Sequence, residues 1–174
     1  MVTGIIFAIA ALIAALLAIA VMKPNRFRVA RSLRIHAPPE KIFLLIEDFH
    51  KRSVWSPYEH IDPTMQRTFS GAERGVGAVY AWAGTGKAGA GRMEIINADA
   101  PSHVAVKLDF SKPFTAHNQA EFTLIREGDF TDVTWAMHGP QLFVGKLMGM
   151  VFNMDRLIGK DFEAGLAAIK AAVA

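Results

Sequence analysis

The sequence contains no cysteine. That excludes disulfides, a thiolate nucleophile and cysteine-ligated zinc. Charge is missing from Met1 to Met22, after which Lys23, Arg26, Arg28, Arg31 and Arg34 all precede the first acid, Glu40. Among His36, His50, His60, His103, His117 and His138, no pair has the H-x-H or H-x-x-x-H spacing that sets two imidazoles around one metal ion, so no metal is expected. A Gly-x-Ser-x-Gly nucleophile elbow is absent, and acid pairs such as Glu47-Asp48 occupy adjacent helical positions that face different ways. No segment repeats and none is of low complexity. Local motifs therefore name no reaction.

Gly84-x-Gly86-x-x-Gly89 has the letters of a dinucleotide fingerprint, whose physics requires a helix N-terminus to follow. The next segment, Arg92-Met93-Glu94-Ile95-Ile96, alternates like a strand, so the glycines read as a hairpin. Lys87 is followed by Ala88 rather than Ser or Thr, against a phosphate-binding loop. No cofactor is expected.

What is present begins with the uncharged run. As a helix it reaches about 33 Å, enough to cross a bilayer's hydrocarbon core. Ala18-Ile19-Ala20 fits a small-x-small cleavage site, but only Met-Val-Thr-Gly precedes the apolar stretch. The missing basic n-region and the length of the run favour an uncleaved anchor over a signal peptide. The expected organisation is a transmembrane anchor over 1–22, a juxtamembrane linker over 23–26 and a folded domain over 27–174. The basic cluster beside the span places that domain on the cytoplasmic side. From residue 35 onward 14 Lys and Arg face 16 Asp and Glu, so the pI near 9.3 comes from the cluster, and no nucleic-acid partner is expected.

Within the domain, Phe27, Val29, Leu33 and Ile35 alternate as a half-buried strand, with Arg31 on the apolar side of the alternation. Pro38-Pro39-Glu40 opens a helix carrying Ile42, Phe43, Leu45, Ile46 and Phe49 at helical spacing through His50. Trp55-Ser56-Pro57-Tyr58 reads as a short helical turn or loop. Six strands are predicted over Met65–Ser70, Gly75–Ala83, Ala90–Asn97, His103–Phe110, His117–Arg126 and Phe130–His138, joined by short turns as an antiparallel meander. A long helix from about Leu142 to Ala172 carries Leu147, Val151, Met154, Ile158, Phe162, Leu166, Ile169 and Val173 in one stripe. Gly145 and Gly149 make its first part a place to kink. The order implies an α+β helix-grip fold: a curved seven-stranded antiparallel sheet wrapped on the long C-terminal helix, preceded by one transmembrane helix.

Alternation also selects the face turned to that helix. Tyr80 and Trp82, Met93, Val106 and Leu108, Asn118 and Phe122, and Trp135 and Met137 are the candidate pocket lining. Such a wall suits a greasy or ring-containing ligand, oriented by Asn118, Tyr80 and the Trp135 indole. The same pattern also fits a solid core.

These residues resemble a known family. Ile35-x-Ala37-Pro38-x-Glu40-x-Ile42-Phe43, Trp55-Ser56-Pro57, Gly89-x-Gly91-x-Met93-x-Ile95, Asn118-x-Ala120-x-Phe122, Thr131-x-Val133-Thr134-Trp135-x-Met137 and Met154-Asp155-x-x-Ile158-Gly159-x-Asp161-Phe162-x-x-Gly165-Leu166 occur in the order seen in the SRPBCC superfamily. That superfamily includes START domains, the birch-pollen-allergen fold and bacterial polyketide cyclase/dehydrase-like proteins, and the last group is the nearest. The resemblance implies a ligand-binding cavity and does not by itself imply an enzyme. The expected function is a membrane-anchored binding module, carrier or sensor, for a lipid-like or polycyclic molecule. The alternative is a polyketide cyclase or dehydratase acting in the same pocket. Such chemistry needs a proton acceptor near neutral pH. Glu94, His103, His117 and Glu121 are the nearest candidates, and alternation points all four away from the apolar face. No catalytic residue is assigned.

Overall fold

The computed structural model describes residues 2–141, 143–151 and 153–174. The uncharged run is one helix, α1 (Val2–Met22), whose described side chains are nearly all exposed. It is long and apolar enough to cross a membrane, a property that a signal sequence shares. Three residues later β1 (Arg26–Ile35) begins. Pro39, with its fixed φ, starts α2 (Pro39–Ile46), which buries Ile42, Phe43 and Ile46. This helix ends before the expected His50. The Asp48 side chain accepts from the His50 N–H at 2.9 Å and starts a 3-10 turn, Phe49–Lys51, in its place. A single helical turn, α3 (Arg52–Trp55), and a second 3-10 turn, Pro57–His60, follow.

The strands are β2 (Gln66–Gly71), β3 (Ala78–Ala83), β4 (Ala90–Asp99), β5 (His103–Lys112), β6 (Ala116–Glu127) and β7 (Phe130–Pro140). They pair antiparallel in the order β1-β7-β6-β5-β4-β3-β2. The largest difference from the predicted strands is at the start of β3. Gly75 and Gly77 take φ of 68° and 86°, a left-handed conformation that belongs to a turn and not to the expected strand.

The C-terminal helix is two helices, α4 (Phe143–Val151) and α5 (Met154–Val173). Asn153 breaks the run: its backbone is non-helical and its side chain accepts from the Arg156 N–H at 2.9 Å, capping a new helix. Leu142, the expected start, lies outside the described residues, as does the side chain of Val151. Phe162, Leu166 and Ile169 press α5 onto the concave face of the sheet, whereas Met154 is exposed. At Gly165 the helix meets the Trp135 ring, and a Cβ there would lie 2.6 Å from a ring carbon.

Arg31 finds its partners on the same helix. Its Nη2 donates to Asp155 Oδ2 at 2.9 Å and its Nε to Glu163 Oε1 at 2.8 Å, with the guanidinium lying over Gly159. A charge on the apolar side of β1 thus clamps α5 to the sheet edge.

Candidate functional site

Sheet, α5, α4 and the α2–α3 segment enclose a cavity of about 1680 Å³. The sheet contributes all nine side chains selected by alternation: Tyr80, Trp82, Met93, Val106, Leu108, Asn118, Phe122, Trp135 and Met137. Trp55 and Tyr58 face them from the turns, and Ile158 and Phe162 from α5. Asn118 is half-buried, and its Oδ1 occupies the place a Cβ on Gly139 would need.

The cavity has a polar corner. Glu59 is buried on its 3-10 turn between two guanidiniums, with Arg52 Nε at 3.1 Å and Arg67 Nε at 2.8 Å. Tyr80 donates its hydroxyl to the same carboxylate at 2.9 Å. Arg52 Nη2 donates to Ser56 Oγ at 3.0 Å, and its guanidinium carbon lies 5.5 Å from the Trp55 ring centroid and 5.3 Å from that of Tyr80. Burial pushes the Glu59 carboxyl up, but the Arg67 and Arg52 charges and the Tyr80 hydroxyl outweigh it and hold the group below its ordinary value. The Tyr80 phenol is pushed up to about 12 by burial and by Glu59. Tyr58 is raised too, by burial first and then by Asp161 of α5. The Trp135 indole N–H is buried and has no partner among the described residues.

A carboxylate latch supports one wall. Asp62 accepts from the Thr85 N–H at 2.7 Å and hydroxyl at 3.0 Å, and from the Thr64 N–H at 2.8 Å and hydroxyl at 2.7 Å. These donors, the Thr85 amide foremost, hold the Asp62 carboxyl well below the usual range. A group depressed in the folded state contributes stability that is full above its unfolded pKa and is lost as pH falls through the folded one. Thermal melts should therefore show Asp62→Asn less stable than wild type at neutral pH, with the gap closing below about pH 4. A gap that stays constant in acid would remove this role.

The mouth is set by topology. The starts of β1, β4 and β6 and the ends of β3, β5 and β7 share one end of an antiparallel sheet. Most of the exposed residues bordering the cavity gather there, among them Arg28, Lys87, Lys112, Pro113 and Phe114, with Gly145 and Gly149 of α4 alongside. Phe114 is 72% exposed.

Residues 26–174 match the family model described as "Polyketide cyclase / dehydrase and lipid transport". The chain belongs to this family. Among curated protein sequences none matches it. Solved structures show the same fold in distant sequences. The ginseng major latex-like protein 151 of Panax ginseng is 13% identical, with 86% of this chain and 99% of that one covered at a TM-score of 0.61. A protein from Thermobifida fusca is 17% identical, covering 82% and 90% at 0.61. The Aha1 dimer from Colwellia psychrerythraea is 14% identical, covering 84% and 96% at 0.57.

In this member of the polyketide cyclase/dehydrase and lipid transport family, each of the four candidate acid–base side chains already has a partner. Glu94 pairs with Arg92 at 2.9 Å, His103 Nδ1 lies 3.1 Å from Asn97 Oδ1, and Glu121 Oε1 lies 3.2 Å from His138 Nε2. His117 borders the mouth but pairs with Asp109 at 2.7 Å, and its side chain is largely solvated. Among the described residues no three His, Asp or Glu side chains group as a metal site. Gly86–Ala88 is a 3-10 turn leading into β4, so the glycine pattern is a hairpin. Sequence reasoning missed Arg52 and Glu59, which sit on turns where neither the two-residue nor the 3.6-residue period applies. The one available signal was their position on either side of Trp55-Ser56-Pro57-Tyr58.

Proposed function

We propose that the chain is a membrane-tethered carrier or sensor of a hydrophobic, lipid-like or polycyclic molecule, taken up through a mouth that faces the bilayer. The observation that carries this reading is that most of the exposed residues lining the cavity lie at the sheet end to which α1 is joined. Three residues, Lys23–Asn25, separate helix from strand, and an extended chain advances at most about 3.5 Å per residue, so the start of β1, at the mouth end of the sheet, lies within about 14 Å of the end of α1. The linker is also pinned. Gln141 N donates to Asn25 O at 2.8 Å, Lys146 Nζ to Asn25 Oδ1 at 2.6 Å, and Lys23 Nζ to Gly149 O at 3.1 Å. Lys23, Arg26, Arg28, Lys87 and Lys112 cluster at this end, which suits anionic headgroups on a cytoplasmic leaflet.

The cyclase or dehydratase alternative asks for a group that exchanges a proton near neutral pH. In the polar corner Glu59 is held ionised and the Tyr80 and Tyr58 phenols are held protonated. That division favours binding over proton transfer.

Without a native cysteine, a single introduced thiol can report bilayer contact. In anionic vesicles, a dye on Phe114→Cys should be quenched by lipid-borne quenchers, while one on Ile125→Cys, at the opposite sheet end, should not. The full chain should also stay with membranes through a carbonate wash. Equal quenching at both sites, or a mature chain beginning at Val21, would reject the reading.

A further inference from the structure

The Arg52 guanidinium is fixed on three of its four sides. Nε is held by Glu59, Nη2 by Ser56, and its plane by the Trp55 and Tyr80 rings. Nη1 has no hydrogen-bond partner among the described residues. The side chain is only 8% exposed, and it borders the cavity. A terminal guanidinium nitrogen carries two N–H donors, and those of Nη1 are open to the cavity rather than sealed in the core. A ligand oxygen arriving from the cavity would meet them at an already ordered group, with little further loss of side-chain freedom.

We propose that Arg52 is the headgroup-fixing residue of this cavity: its Nη1 donates to an sp2 oxygen, carboxylate or carbonyl, at one end of an otherwise apolar ligand. This rests on the binding reading above and narrows it to a class. Net charge does not do the selecting. Arg52 and Arg67 face Glu59, and Asp161 lies across Tyr58, so the corner holds two charges of each sign. What remains is directional: an unpaired N–H pair on a guanidinium held in place. An ester carbonyl can use it as a carboxylate can. A primary ammonium, with no acceptor, cannot.

The test is a competition read by native mass spectrometry on the full chain in mild detergent. Dodecanoic acid, methyl dodecanoate and dodecylamine are offered together at equal concentration. Wild type should retain the acid and the ester over the amine by about tenfold, the yield of one hydrogen bond to a charged group. That ratio should fall towards one in Arg52→Met, which leaves Glu59 with Arg67 and Tyr80. It should fall also in Arg52→Lys, which keeps the charge but removes Nη1. Arg34→Met, at an exposed pair with Asp132, should keep it. Uptake of all three ligands in equal amounts by wild type, or an unchanged ratio in either Arg52 variant, overturns the subsite and leaves the cavity reading standing. Absence of any adduct overturns both.

Discussion

Trp135→Ala should lower unfolding stability by about 3–5 kcal/mol, the usual cost of truncating a packed aromatic in a core. The Trp135 ring stacks on Phe162 at a centroid distance of 4.1 Å and on Phe122 at 5.0 Å, and takes Trp55 edge-on at 5.4 Å. It therefore links sheet, α5 and α3 at one point, and Gly165 is the helix position that lets it in. Trp135→Phe should cost less than half as much. It retains a ring against Phe162 and deletes an indole N–H that has no partner among the described residues. Denaturant unfolding of the full chain in detergent would measure both. If Trp135→Ala cost under about 1 kcal/mol, the ring would be a loose cavity wall and the three-way contact would carry no weight in the fold.

The same residue shows what the sequence could and could not reveal. Period-two alternation in Val104–Leu108, Ala120–Leu124 and Val133–Met137 marked the concave face, because the opposite face of these strands meets water. That pattern placed Trp135 on the correct wall. It could not separate a cavity from a solid core, since both demand apolar side chains at the same positions; the gap depends on how far α5 and α4 stand off the sheet. The break at Asn153 was hidden for a related reason. The apolar stripe continues in phase beyond it, and a single side-chain cap, invisible to periodicity, ends one helix and begins another. Arg31 looked out of place because its partners, Asp155 and Glu163, lie more than 120 residues away. The Arg52–Glu59–Arg67–Tyr80 cluster draws on two turns and two strands at once, so no local window contains it.

Glu59→Gln should destabilise the chain by about 3 kcal/mol or more at neutral pH, the range for breaking a buried ion pair by removing one partner. Glutamine keeps the shape and one acceptor oxygen, so the loss isolates the charge. Arg52 is left buried without its counter-ion, whereas Arg67 is near enough to solvent to rehydrate. Two further outcomes separate this account from a general packing defect. In a double-mutant cycle, Arg52→Met combined with Glu59→Gln should cost less than the sum of the two single changes, because the pair removed together leaves no orphan charge. The second outcome is a pH dependence. Glu59 titrates below its ordinary value in the folded protein, so its contribution is full above the unfolded carboxyl pKa, near pH 4, and drains away as pH falls through the folded one. The difference in stability between wild type and Glu59→Gln should thus be flat around neutrality and shrink in acid. A difference of equal size at neutral and strongly acidic pH would mean that the carboxylate's charge is not what holds this corner of the cavity together.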